Sequence, residues 1–245
     1  TMLMGNVSDE KHSFSKFQKC EKHGINMEAI SKISKLSWRA IEQDYSLDKY
    51  EEELEKIARQ ERNYTPYVVA ICTGFACGGF SKLIGGDWIA FLITAICTFV
   101  GFRTRDRCIE FGINVYMSIA ISAFLCTCLA YAVSFSGLSS TPYHPLLACT
   151  LYIVTGVPLI NFVDDMIDNN LLVGITRSAI TVMIVGGMAF GIAFALRLFV
   201  MSDVTIDQKF SELSMVPHDA YWVYAVAAAI AAMGFATIFN VQRRL

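Results

Sequence analysis

Gly156-Val157-Pro158-Leu159-Ile160-Asn161-Phe162-Val163-Asp164-Asp165-Met166-Ile167-Asp168 closes an apolar run that opens at Pro145. A helix breaker, an amide and three carboxylates therefore stand at the end of a segment fit to enter a bilayer. The chain around it repeats the apolar pattern, over residues 64–83, 88–102, 111–135, 145–163, 178–200 and 221–241. Most of these segments approach the roughly 20 residues that cross about 30 Å of hydrocarbon. The 88–102 stretch is short and is expected to borrow residues from Gly85 and Gly86. The expected fold is an all-α polytopic membrane protein with about six transmembrane helices in the lipid bilayer.

Composition agrees. Of 245 residues, 54% are hydrophobic and 17% charged, against about 25% charged in an average soluble domain. Charge concentrates in the first sixty residues. A net charge of −2 offers no basic face for phosphates, so nucleic acid is not an expected partner.

Residues 1–62 are expected to form a cytoplasmic amphipathic helical region. Ile30, Ile33, Leu36 and Ala40 recur at helical spacing. Ser46 has the place of an N-cap, followed by Leu47, Tyr50, Leu54 and Ile57 on one face. Residues 63–200 then form a five-helix membrane domain, 201–219 an extracytoplasmic linker, and 220–245 one further helix. Lys56, Arg59, Arg62, Arg103, Arg105, Arg107, Arg243 and Arg244 fall on one side in this topology, which places the N-terminus in the cytoplasm.

The same topology brings Asp164, Asp165 and Asp168 to the cytoplasmic end of the fourth crossing, with Arg177 opening the fifth. Asn161 and Asp165 are four apart and share a helix face. Pro158 removes a backbone hydrogen bond about one turn earlier, and unwinding there would free carbonyls for a solute. The plainer reading is a polar loop turning at Asn169-Asn170. Gly74 and Gly78 form a small-xxx-small face for close helix approach, and Gly85, Gly86, Gly156 and Gly174 are further packing or gating positions. Eight cysteines, six of them in apolar runs, read as small packing residues. No spacing suits zinc, and neither a metal nor a cofactor is expected.

Two blocks carry a resemblance. They are Gly74-Phe75-Ala76-Cys77-Gly78-Gly79-Phe80-Ser81-Lys82-Leu83 with Gly85-Gly86-Asp87, and Gly156-Val157-Pro158-Leu159-Ile160-Asn161 with Asp165, Gly174 and Arg177. In both, the chain resembles the N-terminal, large-subunit-like half of the threonine/serine exporter family, which includes two-component succinate exporters. Thr155 replaces a proline frequent in the family, and Asn169 a glycine, although asparagine tolerates left-handed backbone. The segment 233–241 with Arg243-Arg244 resembles the first helix of the family's small C-terminal component. The chain is accordingly expected to be a truncated window of a longer fused transporter.

The resemblance implies a multi-pass protein of the bacterial cytoplasmic membrane. It also implies export of a small polar solute (threonine, serine or a dicarboxylate) driven by the proton gradient, and a small-subunit-like domain as partner in cis or as a separate chain, with a homo-oligomer as a further form. Arg177 would meet a carboxylate and Asp165 an ammonium, with Asp165 or Asp164 carrying the coupling proton. This favours threonine or serine over succinate. A rival class is a membrane-anchored scaffold or regulatory subunit that binds through Leu47, Tyr50, Leu54 and Ile57. Catalysis is not expected, since no histidine accompanies a nucleophile and no GxSxG or HExxH occurs.

Overall fold

The computed structural model describes residues 2–8, 13–19, 26–60, 62–134, 137–153, 156–200 and 219–241. They divide into two compact units, 1–63 with 239–245, and 64–238.

The first unit holds two amphipathic helices, α1 (Met27–Glu42) and α2 (Leu47–Ala58), which pack on each other. Asn26 caps α1 by accepting the Ala29 N–H at 3.3 Å. Ser46 holds the N-cap position of α2, but its hydroxyl makes no capping bond. Leu36 is the fully buried residue of the expected stripe, whereas Leu47 is exposed. A polar knot ties the unit together. The Glu28 carboxylate receives Lys32 at 2.7 Å and the Gln60 amide at 3.3 Å, and also accepts from the Asn63 amide. Asn240 accepts the Asn63 N–H at 3.1 Å and donates to Asn26 at 2.8 Å. The hydrogen bond from Lys32 and those from the two amides hold the Glu28 carboxyl below the usual range, against an opposing effect of burial.

One element was not expected. Met2–Ser8 (β1) and Ser13–Lys19 (β2) pair as an antiparallel hairpin, in register from Met2 opposite Lys19 to Ser8 opposite Ser13. A purely helical reading of residues 1–62 is corrected there. Met4 stands opposite Phe17 and Val7 opposite Phe14 in the register, cross-strand pairs of the kind that stabilise a sheet.

Among the described residues, the regular elements of the second unit are all helical: α3 (Pro66–Leu83), α4 (Trp88–Glu110), α5 (Val115–Ser134), the short α6 (His144–Ala148), a 3-10 turn (Leu151–Ile153), α7 (Gly156–Ile167), α8 (Leu171–Val200) and α9 (Tyr221–Ile238). They pack in the spatial order α9, α3, α4, α5, α8, α7, with α6 against α3, α4 and α5. Residues 201–218, the core of the expected linker, lie outside the described residues.

Among the described residues, α4, α5, α8 and α9 are long and apolar enough to cross a membrane. The bent pair His144–Ile153 and Pro158–Ile167, angled at 55°, makes a fifth span if counted as one. The fold is thus an all-α polytopic membrane protein, with α3 outside the set that passes on length and hydropathy. α3 carries Lys82 and three glycines and is largely buried between α4 and α9. A helix covered by other helices need not match lipid.

Element boundaries shift for physical reasons. α4 does not borrow Gly85 and Gly86; it extends past Phe102 through Arg103, Arg105 and Arg107 to Glu110. Arg103 stacks 4.4 Å from the Tyr67 ring and Arg105 4.7 Å from Phe102, so cations continue the helix along aromatic faces. Gly85 and Gly86 instead end α3. With φ +99° at Gly85, the Gly86 N–H reaches the Ser81 carbonyl at 2.9 Å, the 6→1 bond of a left-handed helix cap.

The helices meet at backbone distance. A Cβ on Gly74 would lie 2.5 Å from the Ala95 carbonyl oxygen of α4, and one on Gly79 would lie 2.7 Å from that of Ala227 in α9. Cys77, Cys97, Cys126 and Cys149 are buried and free in the core of this unit, where the Cys126 thiol donates to the Cys97 carbonyl at 3.3 Å.

Candidate solute site

α7 and α8 form an antiparallel helical pair joined by a tight turn. Asn169 adopts φ +62°, and the Asn170 N–H bonds the Asp165 carbonyl at 2.8 Å. This is the same cap as at Gly85, with asparagine in the left-handed position. The expectation that Asn169 preserves the turn holds. Leu171 already belongs to α8, so Arg177 lies two turns inside that helix rather than opening it at Ser178.

Pro158 also differs from expectation. It does not unwind the middle of a helix but sits in the first turn of α7, where its missing N–H removes no helical bond. The described helix ends at Ile153 and resumes at Gly156, and the segments His144–Ile153 and Pro158–Ile167 are angled at 55°. The residues on which Thr155 would bear lie outside the described set.

The turn brings Asp165 and Arg177 together. Arg177 Nη1 lies 2.7 Å from Asp165 Oδ2, with Asp165 17% exposed and Arg177 44% exposed. The approach is an ion pair without hydrogen-bond alignment: Oδ2 is buried and has no hydrogen-bond partner among the described residues. A buried carboxylate oxygen with an unused acceptor direction is suited to a proton or an ammonium group. Asn161, Asp164 and Asp168 are exposed and do not join the pair. Next to it, Leu159, Phe162, Ser178, Thr181, Val182, Val185 and Gly186 line an open apolar cavity of about 370 Å³. Gly174 lets α8 close on α7, where a Cβ would lie 2.8 Å from Met166 Cγ. Gly74, Gly78, Gly85 and Gly86 serve packing and capping at α3 and lie outside this site. Gly156 is the first residue of α7.

α7 has α8 as its main neighbour. α8 runs parallel to α5, with Gly187 against the Tyr116 carbonyl, Gly191 against that of Ala120, and Phe199 stacked on Tyr131 at 4.3 Å. About 24 Å of α8 precedes its close backbone approach to α5 at Gly187, at 1.5 Å per residue. Ile160 and Ile167 on α7, and Leu172 and Val182 on this stretch of α8, are well over half exposed, an apolar surface suited to lipid or to another protein.

Two polar sites lay beyond the sequence reading. Lys82, 4% exposed, pairs with Asp219. Asp87 caps α4 by accepting the Ala90 N–H at 2.6 Å, and takes the Ser139 hydroxyl at 2.8 Å and the Ser140 N–H and hydroxyl at 2.8 and 2.9 Å. Burial would raise the Asp87 carboxyl, but those four bonds outweigh it and bring it down to about 2. A lysine within an apolar helix was the available signal for the first site. Nothing local marks the serines as partners of a residue fifty positions away.

Several apolar spans, with a bent helix pair and a carboxylate–guanidinium pair between two helices, define a polytopic membrane transporter. The chain belongs to the threonine/serine exporter family: the family described as "Putative threonine/serine exporter" matches residues 1–199. It is also 25% identical, over 72% of its length and 68% of the relative's, to the "Probable succinate transporter subunit YjjP" of Escherichia coli K12. The protein of the same description from Klebsiella aerogenes is 24% identical over the same shares. No solved structure matches the chain.

Proposed function

We propose that the chain is the large component of a proton-coupled exporter of threonine or serine in a bacterial cytoplasmic membrane, with its N-terminal helices and the α7–α8 turn on the cytoplasmic side. The observation that carries this reading is the Asp165–Arg177 pair, whose buried Oδ2 lies 2.7 Å from Arg177 Nη1 and makes no hydrogen bond among the described residues. A zwitterion inserts into such a pair without leaving either charge alone. Its carboxylate takes Arg177 in bidentate fashion, and its ammonium takes Oδ2. Release then leaves Asp165 to accept the coupling proton or to close again on Arg177. The apolar cavity beside the pair would take the solute's small side chain; Pro158 and Asn161 immediately precede its α7 lining residues Leu159 and Phe162 in the sequence.

Succinate export is the second reading, supported by the description of the two relatives. Their designation as subunits also supports a partner membrane protein, and the exposed α7–α8 face is where we place its contact. The scaffold alternative does not account for an ion pair held between two apolar helices.

Efflux of labelled threonine and labelled succinate from loaded vesicles tests the proposal, with the partner subunit co-reconstituted and Asp165→Asn as the paired variant. Gradient-dependent threonine efflux that disappears in the variant is expected. Succinate efflux alone would move the assignment to dicarboxylates, and efflux of neither would refute transport.

A further inference from the structure

Lys82, in the last turn of α3, carries an ammonium almost wholly removed from water. Such a charge must be paired, because desolvating it costs several kcal/mol. Its partner is unequal to it: Asp219, two residues before α9, is 43% exposed. The Asp219 main chain is pinned, its N–H donating to the Tyr224 hydroxyl at 3.0 Å, while its carboxylate stands at the positive end of the α9 dipole. The Trp88 ring lies 5.3 Å from Lys82 Nζ and adds a second face of attraction for the cation. Beside it on α3, the fully buried Ser81 hydroxyl has no hydrogen-bond partner among the described residues.

A buried cation whose counter-ion is half in water is an exchange site. Replacing one carboxylate by another keeps the ammonium paired throughout, so the swap escapes the penalty of stranding a buried charge. The incoming group would meet the same ammonium and the same helix N-terminus. We propose that Lys82 binds the carboxylate of the transported solute, which displaces Asp219, and that Ser81 supplies a hydroxyl to the bound carboxylate. The ligand class is small carboxylates, the amino acid and the dicarboxylate alike, and the inference rests on the transport reading above. Because α5 and α8 run parallel, the α3–α4 turn and the α7–α8 turn lie at opposite ends of the unit. Lys82 is then the second cationic station on the path, and Arg177 the first.

The test is ligand-induced thermal stabilisation of the full chain purified in detergent. Succinate and threonine are titrated, with butane-1,4-diol and threoninol as carboxyl-free controls. Both carboxylates, and neither control, should stabilise the wild type. Lys82→Gln with Asp219→Asn removes both charges, so no buried ion is stranded, and should weaken carboxylate binding by about tenfold or more, as expected for a lost charge-assisted bond. Asp219→Asn alone removes the competitor and should enlarge the stabilisation produced by succinate. The charge-inverted pair Lys82→Asp with Asp219→Lys separates a structural role from a binding one. Wild-type carboxylate binding in that variant, or in the doubly neutral one, would overturn the proposal. So would a wild type that neither carboxylate stabilises. Efflux and the Asp165→Asn variant read the transport proposal separately, so either can fail while the other stands.

Discussion

The α3–α4 turn and the α7–α8 turn are built alike and used differently. Each closes on a left-handed residue, Gly85 or Asn169, with a 6→1 bond under 3 Å. Each has an ion pair close by. At the first, the lysine is 4% exposed and neighbouring helices touch at backbone distance; at the second, the arginine is 44% exposed and α7 leans chiefly on α8. Local sequence chemistry thus sets the turn and the pair, while packing sets their energy. A buried pair punishes the loss of one partner, and a half-exposed pair barely registers it.

Stability measurements can break that contrast. Asp219→Ala strands the Lys82 ammonium and should lower unfolding stability by about 3 kcal/mol, the lower end of the range for opening a buried pair, because Asp219 itself reaches water. Gly79→Ala drives a methyl into the Ala227 carbonyl and should cost about 2 kcal/mol by forcing α3 and α9 apart. Denaturant unfolding followed by tryptophan fluorescence reads both, since Trp88 and Trp222 lie at this end. A loss below about 1 kcal/mol for Asp219→Ala would mean that the site is wetter than its burial implies.

Asp87 sharpens the comparison through pH. Its folded carboxyl titrates near 2 against an ordinary value of 3.8. A depressed folded pKa stabilises above the unfolded value, and the contribution disappears as pH falls from about 4 towards 2. After allowance for solvent screening, about 1–2 kcal/mol should be lost over that window. Asp87→Asn should remove most of that slope. An unchanged slope would assign the acid lability to other carboxylates, Glu28 first among them.

Much of this was legible beforehand. The apolar runs located five of the six expected crossings as helices, and the P-L-I-N block with Asp165 and Arg177 pointed to two residues that the fold does bring into contact. Asn161 and Asp164 do not join them, because the pair forms across the turn and those two residues face outward. The sequence could not show where Pro158 acts, since a proline kinks a helix interior but fits a first turn equally well, and only the position of the helix start decides. The Lys82–Asp219 pair spans 137 positions, and no periodicity relates residues so far apart. Nor does an apolar run by itself show that α3 is covered; its packing between α4 and α9 decides that.

The smallest expected effect is the most informative about function. Asp165→Asn leaves Arg177 half in water, able to recover hydration, so unfolding stability should change by less than about 1 kcal/mol. The amide also keeps the shape of the carboxylate and can still accept from the guanidinium. If the pair were structural, a change this mild in stability would be equally mild in transport. If Oδ2 holds the solute's ammonium or the coupling proton, efflux should collapse while the unfolding midpoint hardly moves, because an amide carries neither the charge nor the exchangeable proton. Measuring both on one preparation of the variant separates the two. A loss of efflux matched by a loss of stability like that of Asp219→Ala would make the two ion pairs equivalent, and the contrast between the two ends of the bundle would then be one of exposure alone.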